Sequence, residues 1–248
     1  MNIRKKILTR CGALLTAVLV LAPTALAAEA EIPYIPQTVP AAQLAPADQR
    51  GQEDWQLLLV NPWHTVPEGY EIKLATLSNG LQVDERIYDD LDDMLSDCRE
   101  AGLNPIVCSA YRTEATQTRL YRNKVARVRA SGVPEDRVEA EAARWVAKPG
   151  TSEHQTGLAL DIVAAGYQIL DEEQEDTAEQ KWLMENSWKY GFILRYPSEK
   201  SDITGIGYEP WHYRYVGKAA AADIYRTGVC LEEYLSPRDT ERSRMPSS

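Results

Sequence analysis

Ser152-Glu-His-Gln-Thr-Gly-Leu-Ala-Leu-Asp161 sets a histidine and an aspartate seven residues apart with a glycine between them. Leu158-Ala-Leu-Asp-Ile-Val163 has the character of a central strand. A turn at Gly157 in front of that strand aims both His154 and Asp161 inward. Far along the chain stands Glu209-Pro-Trp-His212, and these two segments hold two of only three histidines in the protein. Neutral imidazole and carboxylate are both good zinc donors, and a catalytic zinc takes three protein ligands and keeps a fourth position open. His154, Asp161 and His212 are therefore the candidate ligands of one zinc ion. Glu209, three residues before a ligand, is the candidate base, since a carboxylate beside a zinc-activated water can accept its proton.

Working outward, Pro105-Ile-Val-Cys-Ser-Ala-Tyr111 is a β-rich run read as a core strand. Thr113 caps a helix from Glu114 to Ala130, and a second helix covers Glu135 to Trp145 after Pro134. The first of these carries Arg119, Arg122, Lys124, Arg127 and Arg129, read as a solvated surface in preference to a docking face for acidic polymer. Upstream, Leu57–Val60 fits a strand closed by Asn61-Pro62, and Asn79-Gly80 signals a turn before Leu81-Gln-Val83. Ile87, Leu91, Met94, Leu95 and Cys98 recur at helical spacing over 85–101, with Gly102 ending that helix. Downstream, Asp171 to Asp176 is a solvated acidic loop or helix start, and 178–190 is a helix offering Trp182, Leu183 and Trp188 for burial. Gly191 to Tyr196 is a strand stopped by Pro197, and Ala219 to Arg226 is a helix followed by Gly228. Short strands between helices of unequal length argue for an α+β domain. A Gly-rich phosphate loop and a GxSxG elbow are both lacking.

The two ends read differently. Arg4, Lys5, Lys6 and Arg10 precede an apolar run from Cys11 to Ala22 and the small-residue stretch Ala25-Leu-Ala27-Ala28. That order predicts a signal peptide over 1–28, with an uncleaved anchor as the alternative. Prolines at 33, 36, 40 and 46 make 29–54 a Pro/Ala-rich linker. Residues 55–236 form the expected catalytic domain, and 237–248 a polar tail. Loss of residues 1–28 takes 27 basic side chains to 23 against 37 acidic ones, a net charge of −14. Such a balance argues against nucleic acid as a partner and allows the membrane only through the N-terminal segment. Cys98, Cys108 and Cys230 are read as small buried apolar residues. His64, in the turn-rich Asn61-Pro-Trp-His-Thr-Val-Pro67, is a loop histidine by default.

Taken together, Ser152-x-His154-x2-Gly157-x-Ala159-x-Asp161 and Glu209-x-Trp211-His212 resemble the paired signature of zinc D,D-carboxypeptidases and dipeptidases related to VanY and VanX. Ser109-Ala-Tyr-Arg112-Thr with Gln117 is similar to a third block of the VanY-type branch. Gly191–Pro197 and Tyr208–Gly217 extend the likeness over about residues 55 to 220. Ala110 departs from it, a glycine being more usual there. The resemblance implies a Hedgehog/D-Ala-D-Ala peptidase-like fold, with a small antiparallel sheet carrying the zinc site among surrounding helices. It implies one zinc held by His154, Asp161 and His212, with Glu209 as general base. It makes Arg112 an electrophilic or anchoring cation, with the two roles left open. Ser152 and Gln117 are expected to bond substrate, and Tyr196 and Trp211 to wall its pocket. The expected activity is extracytoplasmic removal of the C-terminal D-Ala from peptidoglycan stem peptides by a secreted or membrane-anchored enzyme, expected to be a monomer. The alternatives are an L,D-carboxypeptidase acting on tetrapeptide stems and a non-catalytic zinc-containing wall-binding module.

Overall fold

The computed structural model describes residues 55–236; the expected signal peptide, linker and polar tail lie outside them. Four strands make the central sheet: β3 (Pro105–Ser109), β4 (Ala159–Ala164), β5 (Phe192–Leu194) and β6 (His212–Tyr215), in the order β3-β4-β6-β5. Every neighbouring pair is antiparallel. A separate hairpin joins β1 (Leu74–Thr76) to β2 (Gln82–Asp84), and the turn that the sequence signals at Asn79-Gly80 lies between them.

Alternation along the strands divides the sheet into two faces. Leu160 and Ile162 of β4, Val107 of β3, and Tyr213 and Tyr215 of β6 point into the main core. There they meet Leu91, Met94 and Leu95 of α1 (Tyr88–Glu100) and Leu183 of α4 (Ala178–Asn186). The opposite face carries Asp161, His212 and Arg214. Asp161 stands directly across from His212 in the β4–β6 register and across from Ser109 in the β3–β4 register. Directly opposed residues of antiparallel strands bring their side chains together on one face. The metal candidates thus come from a cross-strand row.

α2 (Glu114–Ala130) begins at Thr113, whose hydroxyl accepts the Thr116 N–H, and its bounds are those expected. It pairs with α3 (Glu135–Ala143) around Val128, Val138 and Ala142. A short α5 (Ser201–Thr204) precedes β6. α6 (Lys218–Thr227) and α7 (Leu231–Leu235) close a second cluster with Leu57, Ile193 and Val216. Among the described residues, no helix is long and apolar enough to cross a membrane.

Four expectations are corrected. Leu57–Val60 is not a strand, because Trp55–Leu57 forms a 3-10 turn and the carbonyls of Gln56 and Leu58 accept from the buried Arg214 side chain instead of a sheet partner. β3 packs Val107 into the core as expected, but it is an edge strand and Cys108 on it is exposed, not buried; Cys98 and Cys230 are buried, and all three thiols are free. The expected helix over 178–190 stops at Asn186 and tightens into a 3-10 turn before Gly191. α3 ends at Ala143, two residues before Trp145. α7, beyond the last expected helix, begins where the Glu233 carboxylate accepts the Cys230 N–H.

Candidate active site

His154 sits in a 3-10 turn, Glu153–Thr156, that ends at Gly157 with φ +71°. A Cβ there would lie 2.3 Å from Ile72 Cδ1 and 2.9 Å from the Asp84 nitrogen, so glycine is required both by conformation and by space. The chain then enters β4, which delivers Asp161. Glu209 lies in the loop before β6, its N–H bonded to the Tyr196 carbonyl and its own carbonyl accepting the His212 N–H.

His154 Nε2 is 3.3 Å from Asp161 Oδ1, and His212 Nδ1 is 3.1 Å from the same oxygen. One donor atom from each of the three residues lies within 4.8 Å of the others, and all three side chains are buried. Tetrahedral donors at zinc distances of about 2.0–2.2 Å stand about 3.3–3.6 Å apart. The spacing and the N2O donor set therefore fit zinc. The far side of each imidazole is already engaged. His154 Nδ1 is 2.8 Å from the Ala110 carbonyl, and His212 Nε2 is 3.4 Å from a Glu153 oxygen. A carbonyl accepts only, so His154 carries its proton on Nδ1 and turns the Nε2 lone pair to the site. The Glu153 carboxylate selects the complementary tautomer of His212.

The electrostatics follow from burial against neighbours. Burial, then the adjacent Arg112 cation, pushes His154 down to about 4. Burial also opposes charge on His212, but its hydrogen bonds to Asp161 and Glu153 prevail and hold it at about 9. Asp161 is likewise opposed by burial, yet His154 and Arg112 keep it well below the ordinary carboxylate range. Glu209 is different. Burial dominates there and raises it to about 8, the range suited to a general base. Its Oε2 lies 3.8 Å from His212 Nδ1.

Around this centre opens a cleft of about 780 Å³. Every residue expected at the site lines it: Arg112, Gln117, Ser152, Tyr196 and Trp211 with the three donors and Glu209. Arg112 Nη2 donates to Asp161 Oδ2 at 2.7 Å, and both Nε and Nη2 reach Ser109 Oγ. Gln117 Nε2 donates to the Ala147 carbonyl, leaving its buried Oε1 without a partner. Tyr196 packs its ring 4.8 Å from that of His212. His64 is outside the group, exposed and 2.9 Å from Asn61 Oδ1 through Nδ1.

Sequence reading missed Glu153. Its carboxylate is fully enclosed, receiving Arg195 Nε at 2.7 Å and Arg214 Nη1 at 2.9 Å. Arg195 continues to Glu232 through two further bonds. Strand alternation held a signal, because Arg214 shares the parity of His212 and so its face. The surface reading of the basic helix holds for Arg119, Arg122 and Arg129, which are exposed, whereas Lys124 and Arg127 line the cleft. Asp171, Glu172 and Glu173 of the expected solvated segment line it too.

Residues 80–218 match the VanY family, described as D-alanyl-D-alanine carboxypeptidase. A D-alanyl-D-alanine carboxypeptidase of Enterococcus faecalis is 48% identical over 194 residues, 78% of this chain and 70% of that protein. VanYB in complex with D-alanine-D-alanine superposes with a TM-score of 0.69 at 47% identity, covering 76% of this chain and 100% of that one. A variant of a vancomycin-resistance D,D-pentapeptidase VanY from a VanB-type cassette, in complex with Zn(II), gives 0.68 at 48% identity over 74% and 100%.

Proposed function

The chain belongs to the VanY family of D-alanyl-D-alanine carboxypeptidases, and on that premise we propose that it is a zinc-dependent enzyme releasing the C-terminal D-Ala of peptidoglycan stem peptides. One observation carries the reading: the donor atoms of His154, Asp161 and His212 converge within 4.8 Å of one another at the floor of a cleft, with the Glu209 carboxylate 3.8 Å from His212 Nδ1.

His154 Nε2, Asp161 Oδ1 and His212 Nδ1 are the atoms that would hold the metal. When bound, zinc supplies a Lewis acid that polarises the scissile carbonyl and makes a water acidic. Glu209, raised toward neutrality by burial, takes the proton of the attacking water and passes it to the leaving amine nitrogen. Arg112 has Nε and Nη2 committed to Ser109 and Asp161. Nη1 is the guanidinium nitrogen left for substrate, and one such donor suits the developing oxyanion better than a bidentate clamp. Gln117 offers Oε1 to a substrate N–H, Ser152 a hydroxyl, and Tyr196 and Trp211 wall the bound residues.

The basic start, apolar run and small-residue stretch over 1–28 support export, which would bring the enzyme to its substrate outside the cytoplasmic membrane. Cell fractionation with mass spectrometry of the mature N-terminus tests this. A new N-terminus near Ala28 is expected, an intact N-terminus in the membrane fraction indicates an anchor, and cytoplasmic full-length protein overturns export. Residues 55–236 are proposed as the catalytic domain and the enzyme as a monomer, which light scattering on the purified protein checks.

The activity is tested by incubating zinc-loaded protein with pentapeptide and tetrapeptide stems and measuring free D-Ala. Release from the pentapeptide by the native enzyme, lost in Glu209→Ala, is the expected result. Release from the tetrapeptide alone would replace D,D- with L,D-specificity. Bound zinc with no release from either would remove the peptidase reading.

A further inference from the structure

Gln117, Leu120, Lys124 and Arg127 all line the cleft. Their spacing of three, four and three residues puts them in one stripe of α2. At 1.5 Å per residue the stripe runs roughly 10 Å from Gln117 to Lys124 and about 15 Å to Arg127. An extended peptide rises about 3.3 Å per residue. The wall is therefore long enough for a substrate reaching on the order of three to four residues back from the centre.

Two cations, Lys124 and Arg127, stand at the far end of this stripe. Arg129, on the same helix, is paired with Glu135. Among the described residues, no carboxylate stands at ion-pair distance from Lys124 or Arg127. Lys124 is half-buried, with its ammonium 5.3 Å from the Trp145 ring centre, and burial together with Arg127 lowers its pKa. Glu141 and Glu209 act on Lys124 only from beyond ion-pair distance, and a partly desolvated cation so placed carries a cost that an incoming anion at contact relieves. Asp171, Glu172 and Glu173 also line the cleft and repel an anion, so they are not its partners. Of the cleft's cations, Arg112 is bonded to Ser109 and Asp161, which leaves Lys124 and Arg127 to attract a further carboxylate.

We propose that Lys124, seconded by Arg127, forms a subsite on α2 for a free carboxylate carried by the substrate peptide about two to three residues upstream of the scissile bond. This inference rests on the carboxypeptidase reading above and adds to it a preference for an acidic stem. Binding there lays the peptide along α2 and directs its C-terminal end toward Gln117 and the metal donors. Lys124 is accordingly a specificity-determining residue, distinct in task from Arg112.

The test uses the zinc-loaded full chain and two synthetic pentapeptides ending in D-Ala-D-Ala. They differ only at a γ-linked glutamyl residue, whose α-carboxyl is free in one and a carboxamide in the other. The native enzyme is expected to favour the free carboxylate in kcat/KM by roughly tenfold, as for one charge-assisted contact. Lys124→Gln brings that ratio to about one, and Lys124→Arg retains most of it. A native ratio near one overturns the proposal, and so does a ratio unchanged in Lys124→Gln. Equal losses on both peptides in Lys124→Gln give that unchanged ratio and mean that the Lys124 charge acts on Glu209 instead. Absence of D-Ala release from both peptides by the native enzyme removes the carboxypeptidase reading, and the subsite with it, and is distinguished by the missing turnover.

Discussion

The Glu153 carboxylate lies 3.4 Å from His212 Nε2, on the side of the ring turned away from Asp161. The same carboxylate receives both Arg195 and Arg214. One buried acid therefore orients a candidate ligand and pairs with two buried cations, of which Arg195 also has Glu232. A carboxylate behind a ligating histidine fixes its tautomer and raises its basicity, and removal of such a partner lowers metal affinity by about 10- to 100-fold. Glu153→Gln is expected to show that loss in a zinc competition titration. Glu153→Ala is expected to cost about 3–5 kcal/mol of stability, because it leaves the buried Arg214 without its carboxylate and Arg195 with Glu232 alone. Native-like zinc affinity in Glu153→Gln would separate Glu153 from the metal site.

Glu209 reaches toward His212 Nδ1 without belonging to the donor triad. Glu209→Gln keeps its shape and removes its basicity. Zinc content is expected to remain near one per chain while kcat falls by about 10²–10⁴. Metal analysis beside D-Ala release checks both halves. Loss of zinc together with activity would make Glu209 a ligand instead of a base.

Gly157 joins the turn holding His154 to the strand holding Asp161. Its left-handed backbone, and the Ile72 and Asp84 atoms where a side chain would go, leave alanine no room. Gly157→Ala is expected to destabilise the fold by about 2–4 kcal/mol, with strain and overpacking both contributing. Chemical denaturation measures this, and a change under 1 kcal/mol would mean that the hairpin beside it yields freely.

Acid should unfold the protein in part through Glu232. Burial opposes its charged form, but Arg195 and the hydrogen bonds from Arg195 and Asn61 outweigh burial and hold it below 4.5. A carboxyl that is more acidic when folded adds stability above its unfolded pKa. That contribution is lost as pH falls from 4.5 through the folded value. The melting temperature of the native protein is expected to drop on this limb, with a shallower slope in Glu232→Gln. Identical slopes would assign the acid sensitivity to other groups.

Much of the site was legible because its determinants are local. Thr113 marks the start of α2 by its hydroxyl, Gly157 marks a reversal only glycine can make, and Leu158–Val163 announces a strand buried on both faces. Leu57–Val60 misled for the converse reason. Its apolar pattern fits a strand, yet its neighbouring carbonyls are taken by Arg214, about 156 residues away. Cys108 has the composition of a core residue, but the sheet order puts β3 at an edge.

By itself the sequence determined the candidate donor set, its order along the chain and the class of chemistry, because residue type settles which atoms can bind a metal or accept a proton. Tertiary structure decided what those groups lean on. Glu153 is next to His154 in the chain, but its partners Arg195 and Arg214 stand 42 and 61 residues away. Only the β4–β6–β5 pairing brings them beneath one carboxylate. The placement of Lys124 within the cleft is of the same kind, since a helix pattern shows which residues share a stripe but not what that stripe faces.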